Sequence, residues 1–333
     1  MKSYDILTIG DTAIDAFIRL KEAELNCDIN RETCKICLKF ASKIPYDSIT
    51  EIPAGGNSAN VAIGSAKLGL ATAYLTNIGY DDNGQKILAK LKSANVASEL
   101  VQVHPQLATN YNYVLWYADD RTILVHHEHY PYILPELPPA KWIYLTSLGE
   151  NSLELHSQLA TYLKKNPETK LAFSPGTMQI RAGHEVLADI YSQTEIFFAN
   201  KQEVMKILET DQEEAGWLAG EIKKLGPKTV VMTDGDQGSF ALDNSGFWHC
   251  PIFPTTSDLI ERTGAGDAFA SAFLTATDQG LSVPEALKWG AVNSASVVEK
   301  VGPHEGLLSV GEIEKRLIEN GNFRPEELKK VAF

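Results

Sequence analysis

The stretch 261-ERTGAGDAFASAF-273 combines a loop of small residues, one acid and the start of a helical pattern. Gly264 and Gly266 carry no Cβ, so the loop can take left-handed conformations and let a backbone or a ligand approach closely. Residues 267–277 are mostly helix formers with an apolar face. Because free N–H groups and the positive end of the helix dipole converge at a helix start, the stretch predicts an anion-binding loop. The alternative is that Asp267 is simply the N-cap of this helix.

Composition bounds the class of protein. The chain has 333 residues, 44% of them hydrophobic, and a formal net charge of −13. This length and hydrophobic content predict a globular protein with a large α/β core. The acidic balance and the lack of a Lys/Arg run argue against a nucleic-acid partner. No long uncharged apolar stretch and no signal-peptide pattern is visible, so we expect a cytoplasmic protein without a membrane partner.

Cysteine usage does not indicate a disulfide scaffold, because four cysteines are few for this length. Cys27, Cys34 and Cys37 cluster in 27-CDINRETCKIC-37, and Cys250 stands alone. A zinc site would need a fourth ligand that is missing locally. We therefore expect free thiols, with the role of the cluster left open.

Strand-like apolar runs alternate with helical stretches along most of the chain, as in 4-YDILTIG-10 followed by 58-SANVAIGSAKLGL-70 and 73-AYLTNIG-79. The alternation resumes from residue 141 onward. This order predicts an α/β fold with a doubly wound, mostly parallel sheet covered by helices on both faces. Ligands of such folds bind at the carboxyl ends of the strands.

Two segments interrupt this alternation. Residues 16–51 and 101–130 are rich in β-branched and aromatic side chains and show no convincing helix. We interpret them as a small inserted β-sheet, a β lid, on an α/β body formed by residues 1–15, 52–100 and 131–333. The alternative is that they add strands to the main sheet.

Two glycine- or acid-containing turns lie early in the chain. The stretch 10-GDTAID-15 places Asp11 and Asp15 after the first strand, where a ligand hydroxyl could meet them, although two acids also suit a turn. The stretch 55-GGNSANVAIGSAKLG-69 puts a Gly-rich loop before a helix with small residues at helical spacing. Close helix packing explains the second stretch equally well.

Two later turns follow strands in the same way. In 197-FFANKQEV-204, Asn200 ends a strand and Glu203 lies in the next helix, a spacing that also predicts an N-cap and its capping-box partner. In 231-VMTDGDQG-238, Thr233, Gly235 and Gly238 follow another strand, where a Gly-rich hairpin turn would suffice.

The joint order of these motifs is more specific than any one of them. G-D-x-x-x-D, G-G-x-x-x-N, N-x-x-E, T-x-G-x-x-G and G-A-G-D follow one another between Asp5 and Gly306, and together they resemble the ribokinase-like (PfkB) carbohydrate kinases. The resemblance implies a ribokinase-like α/β body with a β lid. It also implies an ATP-dependent kinase that transfers the γ-phosphate to a hydroxyl of a small sugar or sugar derivative.

The resemblance further implies residue roles. Asp267 resembles the general base, and the amides of Gly264, Ala265 and Gly266 resemble the anion hole for the transferring phosphate. Such chemistry requires positioning and charge stabilisation more than covalent steps. Glu203 matches a residue that organises Mg²⁺, through water. The remaining matches are substrate-binding Asp15, Gly56, Asn57 and Asn60, and ATP-binding Asn200, Thr233, Gly235, Gly238 and Asn293 alongside Gly264 and Gly266.

One departure from the family pattern concerns a monovalent cation. The family commonly has Asp-Thr where this chain has Glu261-Arg262, and that acid often helps to bind K⁺. Glu261 is longer by one methylene, so we do not expect strong K⁺ dependence. Arg262 could pair with Glu261 or reach a phosphate.

The acceptor itself is not fixed by the motifs. A ribose-like sugar is favoured, with a nucleoside or a sugar phosphate as alternatives. Aromatic residues of the lid could stack on a nucleoside, whereas its basic residues could hold a phosphate. A non-catalytic sugar-binding protein of the same fold is less favoured, and a dehydrogenase lacks the required G-x-G-x-x-G. The lid is also a candidate homodimer contact. Its aromatic residues are Tyr113, Trp116 and Tyr117, and its basic ones are Lys35, Lys39, Lys43 and Arg121.

Overall fold

The computed structural model describes residues 2–27, 34–117, 120–255 and 262–328. The strands, in chain order, are β1 (Tyr4–Ile9), β2 (Ala13–Leu20), β3 (Glu24–Cys27), β4 (Cys34–Cys37), β5 (Tyr46–Gly55), β6 (Thr72–Leu75), β7 (Asn77–Gly79), β8 (Val96–Ala97), β9 (Gln102–His104), β10 (Tyr111–Tyr117), β11 (Asp120–Leu124), β12 (Ala140–Leu145), β13 (Lys170–Phe173), β14 (Thr194–Asn200), β15 (Thr229–Thr233), β16 (Ser239–Leu242), β17 (Phe247–Cys250) and β18 (Glu326–Leu328). The α-helices are α1 (Asn57–Lys67), α2 (Asp82–Ser93), α3 (Leu153–Lys165), α4 (Thr177–Ala182), α5 (Ala188–Gln193), α6 (Lys201–Ile207), α7 (Ala215–Lys224), α8 (Ala265–Asp278), α9 (Val283–Val297) and α10 (Val310–Glu319).

The main sheet has the order β18-β17-β16-β15-β14-β13-β12-β1-β6-β8 within the described residues. From β8 to β15 every neighbouring pair is parallel, and β16, β17 and β18 add an antiparallel edge. The order reverses direction between β1 and β12, which is where a doubly wound sheet opens a crevice for ligands. The predicted mostly parallel, doubly wound sheet is confirmed.

Helices cover both faces of this sheet. Alternate residues of β1 point to opposite faces: Leu7 and Ile9 join the apolar cluster that contains Leu155 of α3, and Ile6 joins the cluster that contains Phe273 of α8. These strands therefore read as continuous apolar runs, as expected for a sheet buried on both sides. No helix in the described part of the chain is long and apolar enough to cross a membrane.

A second sheet stands apart from the first, with the order β11-β10-β2-β5. Its strands come from the two segments in which no helix was predicted, although β2 begins at Ala13 and β5 continues to Gly55, a few residues beyond the predicted segment 16–51. Register places Asp15 beside Asn112 on one face, whereas Tyr113 lies beside Leu124 on the other. The two faces of this small sheet therefore differ in polarity.

The cysteine prediction is wrong for one pair. Cys27 and Cys34 form a disulfide that links β3 to β4. The antiparallel pairing brings these two residues opposite each other, a contact that cysteine spacing alone could not reveal. Cys37 is a free, exposed thiol and Cys250 is a free, buried one. Within the described residues, no group of three or more His, Cys, Asp or Glu side chains has an arrangement that could hold a metal.

Candidate active site

A cavity of about 480 Å³ lies at the carboxyl ends of the parallel strands. Asp11 after β1, Asn200 at the end of β14 and Thr233 at the end of β15 line it from the main sheet. The small sheet contributes Asn112 and Ile123 to the lining. We call this space the central cavity.

A smaller cavity of about 210 Å³ adjoins it, and we call it the side cavity. Thr233 and Gly266 line both spaces. The remaining lining of the side cavity is largely apolar and includes Phe253, Ala291 and Val298. A polar and an apolar compartment thus meet at the start of α8.

The start of α8 has the backbone shape that the opening motif requires. Gly264 is the N-cap with φ 78° in the left-handed region, where a residue with a Cβ would be strained. Asp267 is therefore the third residue of the helix, and the alternative reading of Asp267 as the N-cap is wrong. Ala265 N–H donates to Arg262 O at 3.3 Å, so this amide already has a partner. Gly264 and Gly266 line the central cavity, and Ala265 lines the side cavity.

Asp267 faces the central cavity and is held by a neighbouring amide. Asn60 Nδ2 donates to Asp267 Oδ2 at 2.8 Å, a bond between residues 207 positions apart in the chain. Burial raises the pKa of Asp267 to about 7; the Asn60 hydrogen bond lowers that pKa, and the charge of Glu203 raises it. The carboxyl group can therefore change protonation state near neutral pH, as a general base must.

Four residues predicted to bind substrate line the same space. Asp15, Gly56, Asn57 and Asn60 all contribute to the central cavity. Asn112 Nδ2 donates to Asp15 Oδ1 at 2.9 Å, which fixes this carboxylate between two strands of the small sheet. A Cβ on Gly56 would collide with the backbone oxygen of Asp11, so the Gly-rich loop lies tightly against the end of β1.

Asp11, which the sequence placed after the first strand where a ligand hydroxyl could meet it, lines the central cavity. Its side chain is 6% exposed, Tyr132 Oη donates to its Oδ2 at 2.6 Å, and Gly149 N–H donates to that same hydroxyl at 2.9 Å. Burial raises the pKa of Asp11 to about 7, whereas the Tyr132 hydrogen bond lowers it. His127 Nδ1 lies 3.8 Å from Oδ2. Nothing in the sequence around Tyr132 or His127 pointed to this cluster, because its members meet only in the folded chain.

Asn200 and Glu203 form the N-cap and capping-box pair that their spacing predicts. Asn200 Oδ1 accepts from Glu203 N–H and Glu203 Oε2 accepts from Asn200 N–H, each at 2.9 Å, so they form a capping box at the start of α6. Both residues also line the central cavity. Burial raises the pKa of Glu203. A desolvated carboxylate at a cavity wall suits a hydrated Mg²⁺, which would offset the cost of its charge.

The hairpin between β15 and β16 borders the side cavity. Thr233, Gly235 and Gly238 all line that cavity. Asp234 N–H donates to Gly238 O at 2.8 Å, and both glycines have positive φ. The hairpin turn that the glycines suggested is present, and it also borders the cavity.

Asn293, for which the resemblance implied ATP binding, is not among the lining residues of either cavity. Its side chain is fully buried: Nδ2 donates to Ala268 O at 2.9 Å, and Oδ1 accepts from Leu308 N–H at 3.0 Å. The residue joins α9 to α8 and to the following loop. On α9 the adjacent Ser294 lines the side cavity instead, because only one face of the helix borders it.

Of the two residues that depart from the family pattern, Arg262 lies within the described residues. Arg262 Nη2 lies 3.6 Å from Asp236 Oδ1 at the rim of the side cavity, and both side chains are exposed. This pair connects the loop before α8 to the β15–β16 hairpin. Glu261, on which the K⁺ prediction depends, lies outside the described residues.

The lid residues that could determine acceptor specificity differ in whether they line the central cavity. Arg121 lines the central cavity together with His127, Ile123 and Val125. The other six residues that we considered are not part of its lining, namely Tyr113, Trp116, Tyr117, Lys35, Lys39 and Lys43.

Comparison with known proteins supports a kinase fold throughout the chain. A 5-dehydro-2-deoxygluconokinase of Shouchella clausii is 25% identical, with 96% of each chain covered. The Arabidopsis thaliana ribokinase, solved with ribose and ATP, superimposes with a TM-score of 0.79 at 20% identity, over 95% of this chain and 99% of that one. A Methanocaldococcus jannaschii nucleoside kinase superimposes with a TM-score of 0.78 at 20% identity, over 95% of this chain and 98% of that one.

The family assignment rests on most of the chain. Residues 23–309 match the model of the pfkB family carbohydrate kinases, and this range contains four of the five motifs in the predicted order. The resemblance inferred from those motifs is confirmed. The chain therefore belongs to the pfkB family of carbohydrate kinases, which are ATP-dependent.

Proposed function

We propose that the central cavity holds the acceptor sugar and that Asp267 takes the proton from the hydroxyl that attacks the γ-phosphate of ATP. The observation that carries this proposal is the position of Asp267 on the wall of the central cavity, directly after Gly266, which lines both cavities. A pKa near 7 lets the carboxylate accept a proton at neutral pH.

The start of α8 supplies the electrostatic part of the reaction in this proposal. Gly264 and Gly266 border the junction of the cavities, where the positive end of the helix dipole favours the charge of the transferring phosphate. Phosphoryl transfer depends mainly on such positioning and charge stabilisation. The apolar side cavity, bordered by Phe253 and Val298, would receive the adenine. Glu203 would hold Mg²⁺ through water, and that ion would neutralise phosphate charge.

We further propose that the acceptor is a sugar acid. Arg121 is a cationic lining residue of the central cavity, and a guanidinium binds a carboxylate with two parallel hydrogen bonds. His127 lines the same region. A sugar phosphate would favour several cations, but Lys35, Lys39 and Lys43 do not line the cavity. The similarity to 5-dehydro-2-deoxygluconokinases, named for a sugar acid, supports the same choice.

A neutral, ribose-like sugar is the second candidate. Asp15 and Asn57 line the central cavity, and carboxylate and amide groups bind hydroxyls of any polyol. A nucleoside is less favoured, because Tyr113, Trp116 and Tyr117 do not line the space where a base could stack on them.

We also propose that the small sheet acts as a lid over the sugar and that its outer face joins two copies of the chain. Ile49, Tyr113 and Leu124 expose about half of their side chains on the sheet. The register puts Tyr113 beside Leu124. A dimer with this contact would bury these apolar groups, and light scattering of the wild type and of a Tyr113→Glu variant would measure its mass.

A panel of acceptors tests the proposed activity. We would incubate the protein with ATP, Mg²⁺ and one acceptor at a time, and measure ADP release. The acceptors are two sugar acids (5-dehydro-2-deoxygluconate and gluconate), one neutral sugar (ribose) and one nucleoside (adenosine). The expected result is turnover of a sugar acid that falls in Arg121→Gln while turnover of any neutral sugar is unchanged. Preference for ribose with no effect of Arg121→Gln would support the second candidate, and no turnover of any acceptor would contradict the proposal.

A further inference from the structure

The loop that follows α9 runs beside the start of α8. Gly264, the N-cap of α8, lies so close to Pro303 that a Cβ at position 264 would collide with it. The next residue, His304, points into the protein, and its Nε2 lies 3.0 Å from Asn60 Oδ1. These two residues are 244 positions apart in the sequence. The loop therefore reaches the amide that holds Asp267.

Three side chains form a continuous hydrogen-bonded chain. His304 Nε2 contacts Asn60 Oδ1 at 3.0 Å, and Asn60 Nδ2 contacts Asp267 Oδ2 at 2.8 Å. Asn60 is 5% exposed, so its amide has little room to turn and few water partners. The orientation of this amide depends on which protein groups face its two ends.

The chemistry of the three groups fixes where the protons are. An ionised Asp267 only accepts hydrogen bonds, so the amide NH₂ of Asn60 must face it and the amide oxygen must face His304. The Nε2 atom of His304 must then carry a proton and donate it. Burial lowers the pKa of His304 to about 3, so the ring is neutral and has a single N–H. Its Nδ1 is buried and has no hydrogen-bond partner among the described residues.

Resting on the proposed role of Asp267 as the base, we propose that His304 is a positioning residue that orients the Asn60 amide and, through it, the carboxylate of Asp267. With His304 donating to Oδ1, a flip of the amide would break both hydrogen bonds, because it would bring two donors together at His304 and two acceptors together at Asp267. Oδ2 of Asp267 is thereby held by Asn60, which leaves Oδ1 to face the substrate hydroxyl. No covalent step involves His304.

The charges around these three hydrogen-bonded side chains define what a pH experiment would detect. The charge of Glu203, which also lines the central cavity, raises the pKa of Asp267, and the charges of Asp267 and Glu203 both raise the pKa of Tyr144. Lys90 faces His304 and disfavours its protonation. The other titratable groups that line the central cavity are Asp11, Asp15, Arg121 and His127.

Two substitutions at one position separate positioning from packing. His304→Leu removes the donor and keeps an apolar volume, whereas His304→Gln keeps an N–H donor. His156 provides a matched control, because it is another buried histidine, bonded to Ser152 O at 2.8 Å, and it lines neither cavity. We would measure kcat, the KM for ATP and the pH dependence of kcat/KM, using the acceptor identified by the panel.

We expect His304→Leu to lower kcat about tenfold or more, since small misplacements of a reacting group are costly. The KM for ATP should stay within about twofold of the wild-type value, because His304 does not contact the side cavity. The acid limb of kcat/KM should move up by about half to one pH unit, because the carboxylate loses an oriented donor. In His304→Gln, most of kcat should be retained and the acid limb should lie close to its wild-type position. His156→Leu should change neither kcat nor the acid limb. An unchanged kcat and acid limb in His304→Leu, or no rescue by Gln, would overturn the proposal.

A second measurement determines the protonation state of His304 in the wild-type protein and uses a variant only to assign the resonance. In the ¹⁵N-labelled wild-type protein, the resonance lost in His304→Gln should report a neutral ring protonated at Nε2 down to about pH 5. A ring protonated at Nδ1 would contradict the proposal. Asp267→Asn separates the two proposals: if it keeps wild-type turnover, the base assignment fails, whereas if it is inactive and His304→Leu behaves as wild type, only the positioning role fails.

Discussion

Asn200 and Glu203 bond to each other at both ends, each side chain accepting from the other residue's backbone N–H at 2.9 Å, while both side chains line the central cavity. One pair of residues therefore starts α6 and contributes a carboxylate to the site. This arrangement makes the structural and the chemical contribution of Glu203 separable by mutation.

Glu203→Gln should impair activity more than stability. A glutamine can still accept the hydrogen bond from Asn200 N–H, so the free energy of unfolding should change by less than about 1 kcal/mol. The lost charge should lower kcat at least about tenfold and raise the Mg²⁺ concentration needed for half-maximal rate. Urea unfolding and a Mg²⁺ titration of the rate measure the two effects. As the comparison variant, Glu203→Ala should lose stability as well, and an unchanged Mg²⁺ requirement in both would refute the role in metal binding.

The rate should follow the ionisation of Asp267. Because burial raises the pKa of this carboxyl to about 7, kcat/KM for the acceptor should fall about tenfold per pH unit below that value and level off above it. A base with an ordinary carboxyl pKa would instead give a flat profile between pH 5 and 8. The profile should be recorded at saturating ATP and constant ionic strength. A flat profile would show that Asp267 is not the group that limits the rate.

Asp11 should destabilise the fold as pH rises. Its pKa in the folded protein, about 7, is above that of an ordinary carboxyl, so its contribution to stability is fully present below about pH 4 and is lost as pH rises through 7. Relative to Asp11→Asn, the wild type should therefore lose about 2 kcal/mol of unfolding free energy between pH 5 and 8. Urea unfolding of both proteins at the two pH values measures this difference.

Asp5 provides a control of opposite sign. The hydrogen bond from Lys141 is the main cause that lowers the pKa of Asp5, so the stability that Asp5 adds is lost as pH falls through that lowered value. Relative to Asp5→Asn, the wild type should therefore lose no unfolding free energy between pH 5 and 8. If Asp11→Asn behaves in the same way as Asp5→Asn, the raised pKa of Asp11 is wrong.

Potassium should affect the rate only weakly. The expectation derives from the sequence, where Glu261 and Arg262 replace the usual Asp-Thr, and a carboxylate displaced by one methylene fits a tight cation shell poorly. Replacing K⁺ by a large organic cation at matched ionic strength should reduce activity less than tenfold, or under about 1.4 kcal/mol of barrier. A much larger loss would mean that the ion is still bound. The Arg262–Asp236 contact gives Arg262 a partner other than Glu261.

The sequence predicted those parts of the site in which local spacing carries the geometry. The pair Asn200 and Glu203 is three residues apart, and Gly264 needs only its own backbone freedom to place Asp267 on α8. The long apolar alternation likewise predicted the sheet. Contacts between distant segments could not be read in this way: Tyr132 reaches Asp11 across 121 positions, and the disulfide between Cys27 and Cys34 depends on strand register.

The packing of Asn293 could not be predicted from the sequence for a similar reason. The family resemblance implied that Asn293 lies on the nucleotide side, but the resemblance does not specify which of Asn293 and Ser294 faces the cavity. The packing of α9 against α8 decides it, because Asn293 is drawn into bonds with Ala268 and Leu308.

The central claim is that Asp267 is the base beside an anion-binding helix start, and the turnover of Asp267→Asn measured together with its affinity for ATP tests it most directly. Asparagine keeps the size and the hydrogen-bond contact to Asn60 but cannot take a proton at neutral pH. The account predicts that kcat falls by about two orders of magnitude or more while the Kd for ATP stays within about threefold. Near wild-type turnover, under conditions where the chemical step limits the rate, would contradict it.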